Sequence, residues 1–486
     1  MPPDTHQGPR TWPQRLVVAL GILVVVGCAT AAAATAYFGL RFSQIDRVDD
    51  IALEAAQKGE PANYLVVGTD SRAGLDPNAP DAGGLIGDDE DENGCDCTDT
   101  IMILRVDPDA KTANVVSLPR DLWLPIADTG EKARINSAHQ RGEQVLIDTI
   151  EESFGIPINH YVEIDFVGFE RLVDAVDGIP MYFETPVRDT HVGLSIKEPG
   201  CTTLDGQDAR KFARSRFLQY RDDNGRWRSD PTADFGRITR QQIFIRRAIA
   251  KAVSQGLSNP LTLNNLVSAG VENVRLDKAL DASDLLGLGR EFSKFNSDEL
   301  VGHTIPTDGH TTSAGADVQI ADLRRAEPIL NIFRGLPPGA ISPQAIDVTV
   351  LNGSGIQGQA ADAAGALQQI GFSVVDVDSY PTPVGRTTVL YGPGGEDAAR
   401  MVARHVTGGA ALLFDEDVDD GATVLVTGSD FTTLHEQPAP EGSPDDVLST
   451  TSSVVAPGGT TATTAPTTTT TVLGFATGEP PPGVRC

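Results

Sequence analysis

The sequence predicts an α/β protein. A larger unit carries helices on both faces of a central sheet, and a smaller α/β unit follows it. Three observations carry this expectation. Short apolar runs alternate with segments of helical periodicity from residue 61 onward. Pro337-Pro338-Gly339 interrupts that pattern. A second, shorter alternation then occupies residues 346–434, before the composition collapses to Thr, Pro, Ser and Gly. A chain of 486 residues has room for two or three such domains.

Residues 1–15 are short and polar, with Arg10 and Arg15. Residues 16–40 then run twenty-five positions without a charge. As a helix this run is roughly 37 Å long, enough to cross a ~30 Å hydrocarbon core with some tilt. A cleaved signal peptide is the alternative, given the Ala-rich stretch 29–36, and Cys28 raises lipid attachment. The apolar run continues twelve residues past Cys28, which favours an uncleaved anchor. The basic tail places residues 1–15 in the cytoplasm and the rest outside a single-pass membrane segment, in contact with membrane lipid.

Residues 41–60 read as a short helical stalk, and the larger domain as 61–335. Strands are expected at 64–67, 100–106, 113–118, 160–164 and 178–184. Helices are expected at 143–154, 166–176, 207–217 and 237–254, with further helical segments to about 335. A linker at 336–345 leads to the small domain, with strands at 347–351, 372–378, 387–391 and 422–427 and helices at 359–370 and 396–406. The tail 435–486, with its run TTATTAPTTTTT, lacks the apolar residues to form a core and is expected to be disordered.

The formal net charge is −29, yet residues 205–247 hold eleven Arg and Lys against six Asp and Glu. The cations fall at helical spacings, Arg210 with Arg214 and Arg237 with Arg240. A salt-bridged, solvated helix face is the plain reading. The sharper one is a site for an anion with more than one phosphate, because guanidinium groups grip phosphate oxygens bidentately. Asp70, Asp99 and Asp121 each stand beside an apolar strand, where loops of open α/β sheets form the ligand crevice. Singly, each reads as a turn or helix cap. With the arginines, they suit Mg²⁺ and a polyphosphate. The acidic balance excludes a general nucleic-acid surface.

Two motifs resemble known sites without their context. Gly353-Ser-Gly355-Ile-Gln-Gly358 matches a dinucleotide fingerprint, but its domain is only about ninety residues and tight-turn glycines suffice. Asp89–Gly94 copies half a calcium loop, with Thr100 where the bidentate Glu belongs. Residues 76–99 hold nine acids and no base, and read as a solvated insertion. No nucleophile elbow or Walker loop occurs. A disulfide from Cys95 or Cys97 to Cys201 suits a location outside the membrane.

The segments Leu65-Val-Val-Gly-Thr-Asp-Ser-Arg72, Thr98-Asp-Thr-Ile-Met102, Ser117-Leu-Pro-Arg-Asp121, Arg134-Ile-Asn136, Ala213-Arg-Ser-Arg216 and Asp234-Phe-Gly-Arg-Ile-Thr-Arg-Gln241, in that order, resemble the LytR-CpsA-Psr family of cell-envelope enzymes. Residues 346–434 resemble the accessory carboxy-terminal domain of many actinobacterial members. The resemblance implies a three-layer fold with a mixed sheet, and a phosphotransferase moving a glycopolymer from a polyprenyl pyrophosphate carrier to peptidoglycan. It implies Mg²⁺ on Asp70 and Asp99, and the pyrophosphate on Arg120, Arg214, Arg216, Arg237 and Gln241. Arg134, which stands where the family usually has Lys, and Arg240 are further expected substrate contacts, and Asp121 and Asp234 match further motif positions. Asp121 or Asp234 is the expected proton acceptor. Cys97 replaces a family arginine. A pyrophosphatase and a non-catalytic envelope scaffold or regulator remain the alternative readings.

Overall fold

The computed structural model describes residues 36–37, 39–57, 59–69, 98–256, 259–292, 300–337, 340–440, 478–481, 483–484 and 486. The expected membrane segment lies outside these residues except at 36–37 and 39–40, and Asp70 and residues 71–97, most of the acidic insertion, lie outside them as well. Among the described residues no helix is long and apolar enough to cross a membrane.

The larger domain is built on seven strands: β1 (Asp46–Val48), β2 (Ala62–Thr69), β3 (Thr98–Asp107), β4 (Thr112–Leu118), β5 (His160–Asp165), β6 (Val274–Asp277) and β7 (Leu300–Thr304). Their spatial order is β1-β6-β5-β2-β3-β4-β7. β5 pairs parallel to β2 and β7 parallel to β4, whereas β3 is antiparallel to both neighbours, so the sheet is mixed. Seven helices longer than one turn accompany it among the described residues: α1 (Glu143–Phe154), α2 (Phe166–Asp174), α3 (Gly206–Arg214), α4 (Ala233–Gly256), α5 (Pro260–Asn273), α6 (Ala282–Phe292) and α7 (Leu323–Arg334).

Alternation along each strand feeds both faces of the sheet. Leu65, Val67, Ile101, Ile103 and Val116 pack with Leu146, Ile150 and Phe154 of α1 and Leu330 and Phe333 of α7. The opposite residues Met102, Leu104, Val106 and Val115 meet Ile245 and Ile249 of α4 and Leu288 and Phe292 of α6. Each fully buried side chain of this kind contributes about 1.5–3 kcal/mol. The result is the expected α/β/α sandwich.

Three expectations need correction. Residues 41–60 are not a stalk, because β1 joins the sheet edge beside β6 and Phe42, Ile45 and Val48 are buried. The strand Ile179–Phe183 leaves the main sheet and pairs instead with Gly200–Leu204. Cys201 bonds to Cys486, not to Cys95 or Cys97, which lie outside the described residues. The tail therefore returns to the larger domain. Gly478 pairs with Tyr182, and Glu479 bridges to Arg246.

The small domain comprises β8 (Asp347–Asn352), α8 (Gln359–Ile370), β9 (Ser373–Ser379), β10 (Thr388–Tyr391), α9 (Glu396–His405), β11 (Ala411–Phe414) and β12 (Thr423–Thr427). Its sheet order is β9-β8-β12-β10-β11, and Val348, Val350, Val389 and Leu425 share one core with both helices. Gly355 and Gly358 have φ of 77° and 85°, a turn conformation that a side chain would strain. The linker is tied down, since Glu327 accepts from Ser342 N–H at 2.6 Å and from Arg334 at 3.0 Å.

Candidate functional site

A cavity of about 380 Å³ lies between the sheet and helices α2 to α5. The sheet contributes every second residue, Val66 and Gly68 from β2 and Thr100, Met102 and Leu104 from β3. Helix α4 contributes one stripe, Arg237, Gln241, Phe244, Ile245, Ala248 and Ala252. Those spacings of three and four keep the stripe on one side of the helix. Its first turns are polar and the rest apolar, so one helix supplies both a polar end and an apolar channel. Phe166 and Phe169 of α2 line the cavity, whereas Leu146, Ile150 and Phe154 are core, a division the sequence left open.

The polar end gathers side chains from α2, α3 and α4. The Gln241 amide donates to the Thr100 hydroxyl and to the Ala213 carbonyl, both at 3.1 Å. Asp234 bridges Arg237 at 3.1 Å and Arg216 at 3.3 Å. The Arg214 guanidinium lies 4.7 Å over the Phe166 ring. Arg210, which also lines the cavity, pairs with Glu170. The amino-terminal end of α4 adds its own partial positive charge. Asp165 caps α2 through Gly168 N–H at 2.6 Å, and burial pushes its carboxyl above the ordinary range.

A second cluster stands along the same sheet edge. Strands β2, β4 and β5 end there and β3 begins there, since Ile101 pairs with Leu118 and Thr69 with both Thr98 and Asp165. Asp121 forms ion pairs with Arg134 Nε at 3.3 Å and Arg120 Nε at 3.6 Å. Arg134 also donates to the Asp317 carbonyl at 2.9 Å. Asn136 links this cluster to β3, taking its N–H to the Arg120 carbonyl at 3.3 Å while its carbonyl accepts from Thr98 Oγ1 at 3.5 Å.

Asp99 occupies a β-bulge. Gly68 pairs with Thr100 and Thr69 with Thr98, so Asp99 is the extra residue of β3. Bulges re-aim side chains beside active sites. Asp70 immediately follows Thr69 in the chain. The buried Thr69 hydroxyl finds no hydrogen-bond partner among the described residues.

Arg240 departs from its expected role. It is 1% exposed, donates to Asp230 at 3.0 Å and to the Ser215 carbonyl, and does not line the cavity. Burial lowers its pKa, and the Asp230 carboxylate opposes that shift. It clamps the start of α4 to the end of α3. Gly236 is required there, because an added Cβ would come within 2.4 Å of Thr232 Oγ1 and 2.7 Å of Asp230. Asp165 received no role from the sequence, its only signal being its place at a strand end. Arg210 was read only as one of the clustered cations, one turn before Arg214.

The LytR_cpsA_psr family model matches residues 41–334, and the model for the LytR cell envelope-related transcriptional attenuator matches residues 345–431. The chain is 25% identical to the cell wall biosynthesis protein LcpA of Corynebacterium glutamicum, covering 81% of this chain and 83% of the relative. It is 30% identical to the polyisoprenyl-teichoic acid–peptidoglycan teichoic acid transferase TagU of Enterococcus faecalis, over 44% of this chain and 66% of that one. The probable cell wall biosynthesis protein LcpB of C. glutamicum is 31% identical, and this chain spans about half of it, 51%. Among solved structures, a LytR-Csp2A-Psr enzyme from Actinomyces oris superposes with a TM-score of 0.46 at 24% identity, covering 60% of this chain and 95% of that one. With the first model matching well over half of its length, the chain belongs to the LytR-CpsA-Psr family.

Proposed function

We propose that this protein transfers a glycopolymer from a polyprenyl diphosphate carrier to peptidoglycan, outside a membrane that residues 16–40 cross. The observation that carries the reading is the continuity of an apolar cavity with a guanidinium-lined end. A prenyl chain suits the stripe from Phe244 to Ala252, and a diphosphate suits Arg214, Arg237 and Gln241 at its head. The names of relatives, which include a teichoic acid transferase to peptidoglycan, support the donor and acceptor classes. The Cys201–Cys486 disulfide supports an oxidising compartment.

In this mechanism a sugar hydroxyl of the acceptor attacks the phosphorus nearer the glycan. A new P–O bond forms, the bond to the bridging oxygen breaks, and polyprenyl monophosphate leaves with that electron pair. Asp121 or Asp234 takes the hydroxyl proton; each is held by arginine partners that fix its position. Arg120, Arg134, Arg214, Arg216 and Arg237 hold the diphosphate and balance its charge as the bond breaks. Mg²⁺ on Asp70 and Asp99, when bound, adds Lewis-acid stabilisation of the phosphoryl oxygens.

The test is transfer of labelled glycan from a lipid diphosphate to peptidoglycan, with label in water counted separately. Arg120→Ala and Arg214→Ala should abolish transfer while thermal unfolding stays near that of the native chain. Full transfer in either variant would remove the site, and label found only in water would make the protein a hydrolase.

A further inference from the structure

Beyond the Arg216–Asp234 pair, the rim carries aromatic side chains that neither the cavity nor the diphosphate contacts use. Phe217 is 57% exposed and Phe235 is 41% exposed. Each directly follows one member of the pair, whose side chains meet at 3.3 Å. The Phe217 ring rests against the imidazole of His191, with centroids 4.4 Å apart and planes at 39°. Leaving a phenyl ring this exposed forgoes part of the roughly 1.5–3 kcal/mol its burial would contribute.

The backbone that carries Phe217 and His191 is nevertheless fixed. The wholly buried Asp189 carboxylate accepts from Phe217 N–H at 3.0 Å, from Ser215 Oγ at 2.7 Å and from His191 N–H at 3.0 Å, with His191 Nδ1 3.4 Å away. Asp189 itself sits in a small antiparallel sheet, where Val187–Asp189 pairs with both Leu194–Ile196 and Gln219–Arg221. In that sheet the Arg188 guanidinium stacks 4.2 Å over Trp227. An exposed ring whose backbone N–H is anchored on a buried carboxylate is a prepared surface, unlike a side chain left over from packing.

We propose that Phe217, with His191 against it and Phe235 following the paired Asp234, forms a subsite for the saccharide ring adjoining the transferred phosphate. One face of a pyranose is lined by C–H groups, which carry slight positive charge and settle on the negative face of an aromatic ring. The sugar hydroxyls find donors and acceptors in His191 and in the Arg216–Asp234 pair. The inference rests on the diphosphate reading of Arg214, Arg216 and Arg237, since it is adjacency to that site that places a sugar here. The ring is either the first sugar of the donor or the acceptor sugar of peptidoglycan; the chemistry is common to both.

The experiment measures binding to the full chain in detergent micelles with three probes: farnesyl diphosphate, farnesyl diphosphate carrying N-acetylglucosamine, and soluble uncrosslinked peptidoglycan strands. Phe217→Ala should leave farnesyl diphosphate affinity within about twofold and weaken one saccharide probe by about three- to tenfold. Phe217→Trp should restore it, and His191→Ala should reproduce the loss to a smaller extent. Loss on the sugar-bearing lipid assigns the donor ring, and loss on the strands assigns the acceptor ring. Unchanged affinity for both saccharide probes in Phe217→Ala and His191→Ala overturns the subsite. If the native chain fails to bind farnesyl diphosphate, it is the diphosphate reading that falls, and the adjacency falls with it.

Discussion

Arg237 and Arg240 stand three residues apart on one helix, and both are almost fully buried, yet they do different work. Arg237 lines the cavity and shares Asp234 with Arg216, which remains on that carboxylate if Arg237 is removed. Arg237→Ala should therefore cut lipid-diphosphate binding at least tenfold with little change in melting temperature. Arg240→Ala instead strands the buried Asp230 carboxylate, a change that costs about 3–5 kcal/mol. Parallel calorimetry and binding on the two variants check the division, and equal destabilisation of both would refute it. The sequence offered no way to separate them, because both are arginines on the same motif at helical spacing. Burial against Asp230 is a long-range fact. Glu163 makes a similar point about a residue hidden from sequence reading. Burial pushes its carboxyl up, but hydrogen bonds from His139 and Tyr161 and the charge of Arg275 outweigh that and bring it to about 2. A carboxyl depressed on folding stabilises the fold above its unfolded pKa, and that stability is lost as the pH falls. Between about pH 5 and pH 2 the native chain should lose on the order of 2–3 kcal/mol through this group. Glu163→Gln should flatten that part of the stability–pH profile, measured by denaturant unfolding, and an unchanged profile would exclude Glu163 as the source.

At the scale of elements, one side of α4 changes character along its length, which in the proposed reaction would join headgroup recognition to chain accommodation. Arg237 and Gln241 precede Phe244, Ile245, Ala248 and Ala252 on the same stripe. The two alanines leave room in the channel, and a bulky residue there blocks it without touching any arginine. Ala248→Phe should weaken binding of a long prenyl diphosphate by tenfold or more and leave a short-chain analogue within about threefold. Equal loss for both lengths would mean that the headgroup end had been disturbed instead. Elements with strong local periodicity were legible in the sequence. The helix expected at 143–154 is found at Glu143–Phe154, bounded by Gly142 and by Gly155 at φ 63°. The helix expected at 359–370 is found at Gln359–Ile370. Short edge strands such as Asp46–Val48 and Ala411–Phe414 were missed, because three or four residues carry no period and owe their conformation to a neighbouring strand. The strand at Ile179–Phe183 was legible as a strand, but its partner was not.

At the scale of the molecule, the Cys201–Cys486 bond spans 285 residues and so encloses the whole small domain in a covalent loop. One side of that loop is the linker, which Glu327 and Arg334 fasten to the larger domain. The other side is the returning segment. Gly478 exchanges both backbone hydrogen bonds with Tyr182, at 2.8 and 3.2 Å, beside the strand that carries Met181. Reading the tail by composition gave it no structure, because a Thr/Pro run masks a docking residue whose partner lies nearly three hundred positions away. Gly478 has φ of 113°, and a side chain there would press within 2.6 Å of Met181 and 3.1 Å of Ile243. Ile243 neighbours Phe244, so the docked segment backs the helix whose other side lines the cavity. Cys201→Ser should lower stability by about 2–4 kcal/mol, and reductant should lower that of the native chain by the same amount while leaving the variant unmoved. Gly478→Val should loosen the same segment with the disulfide intact, seen as faster amide exchange at Tyr182 and in α4. If the native chain melts identically with and without reductant, the bond fastens nothing. If Gly478→Val leaves exchange in α4 unchanged, the returning segment does not support the site.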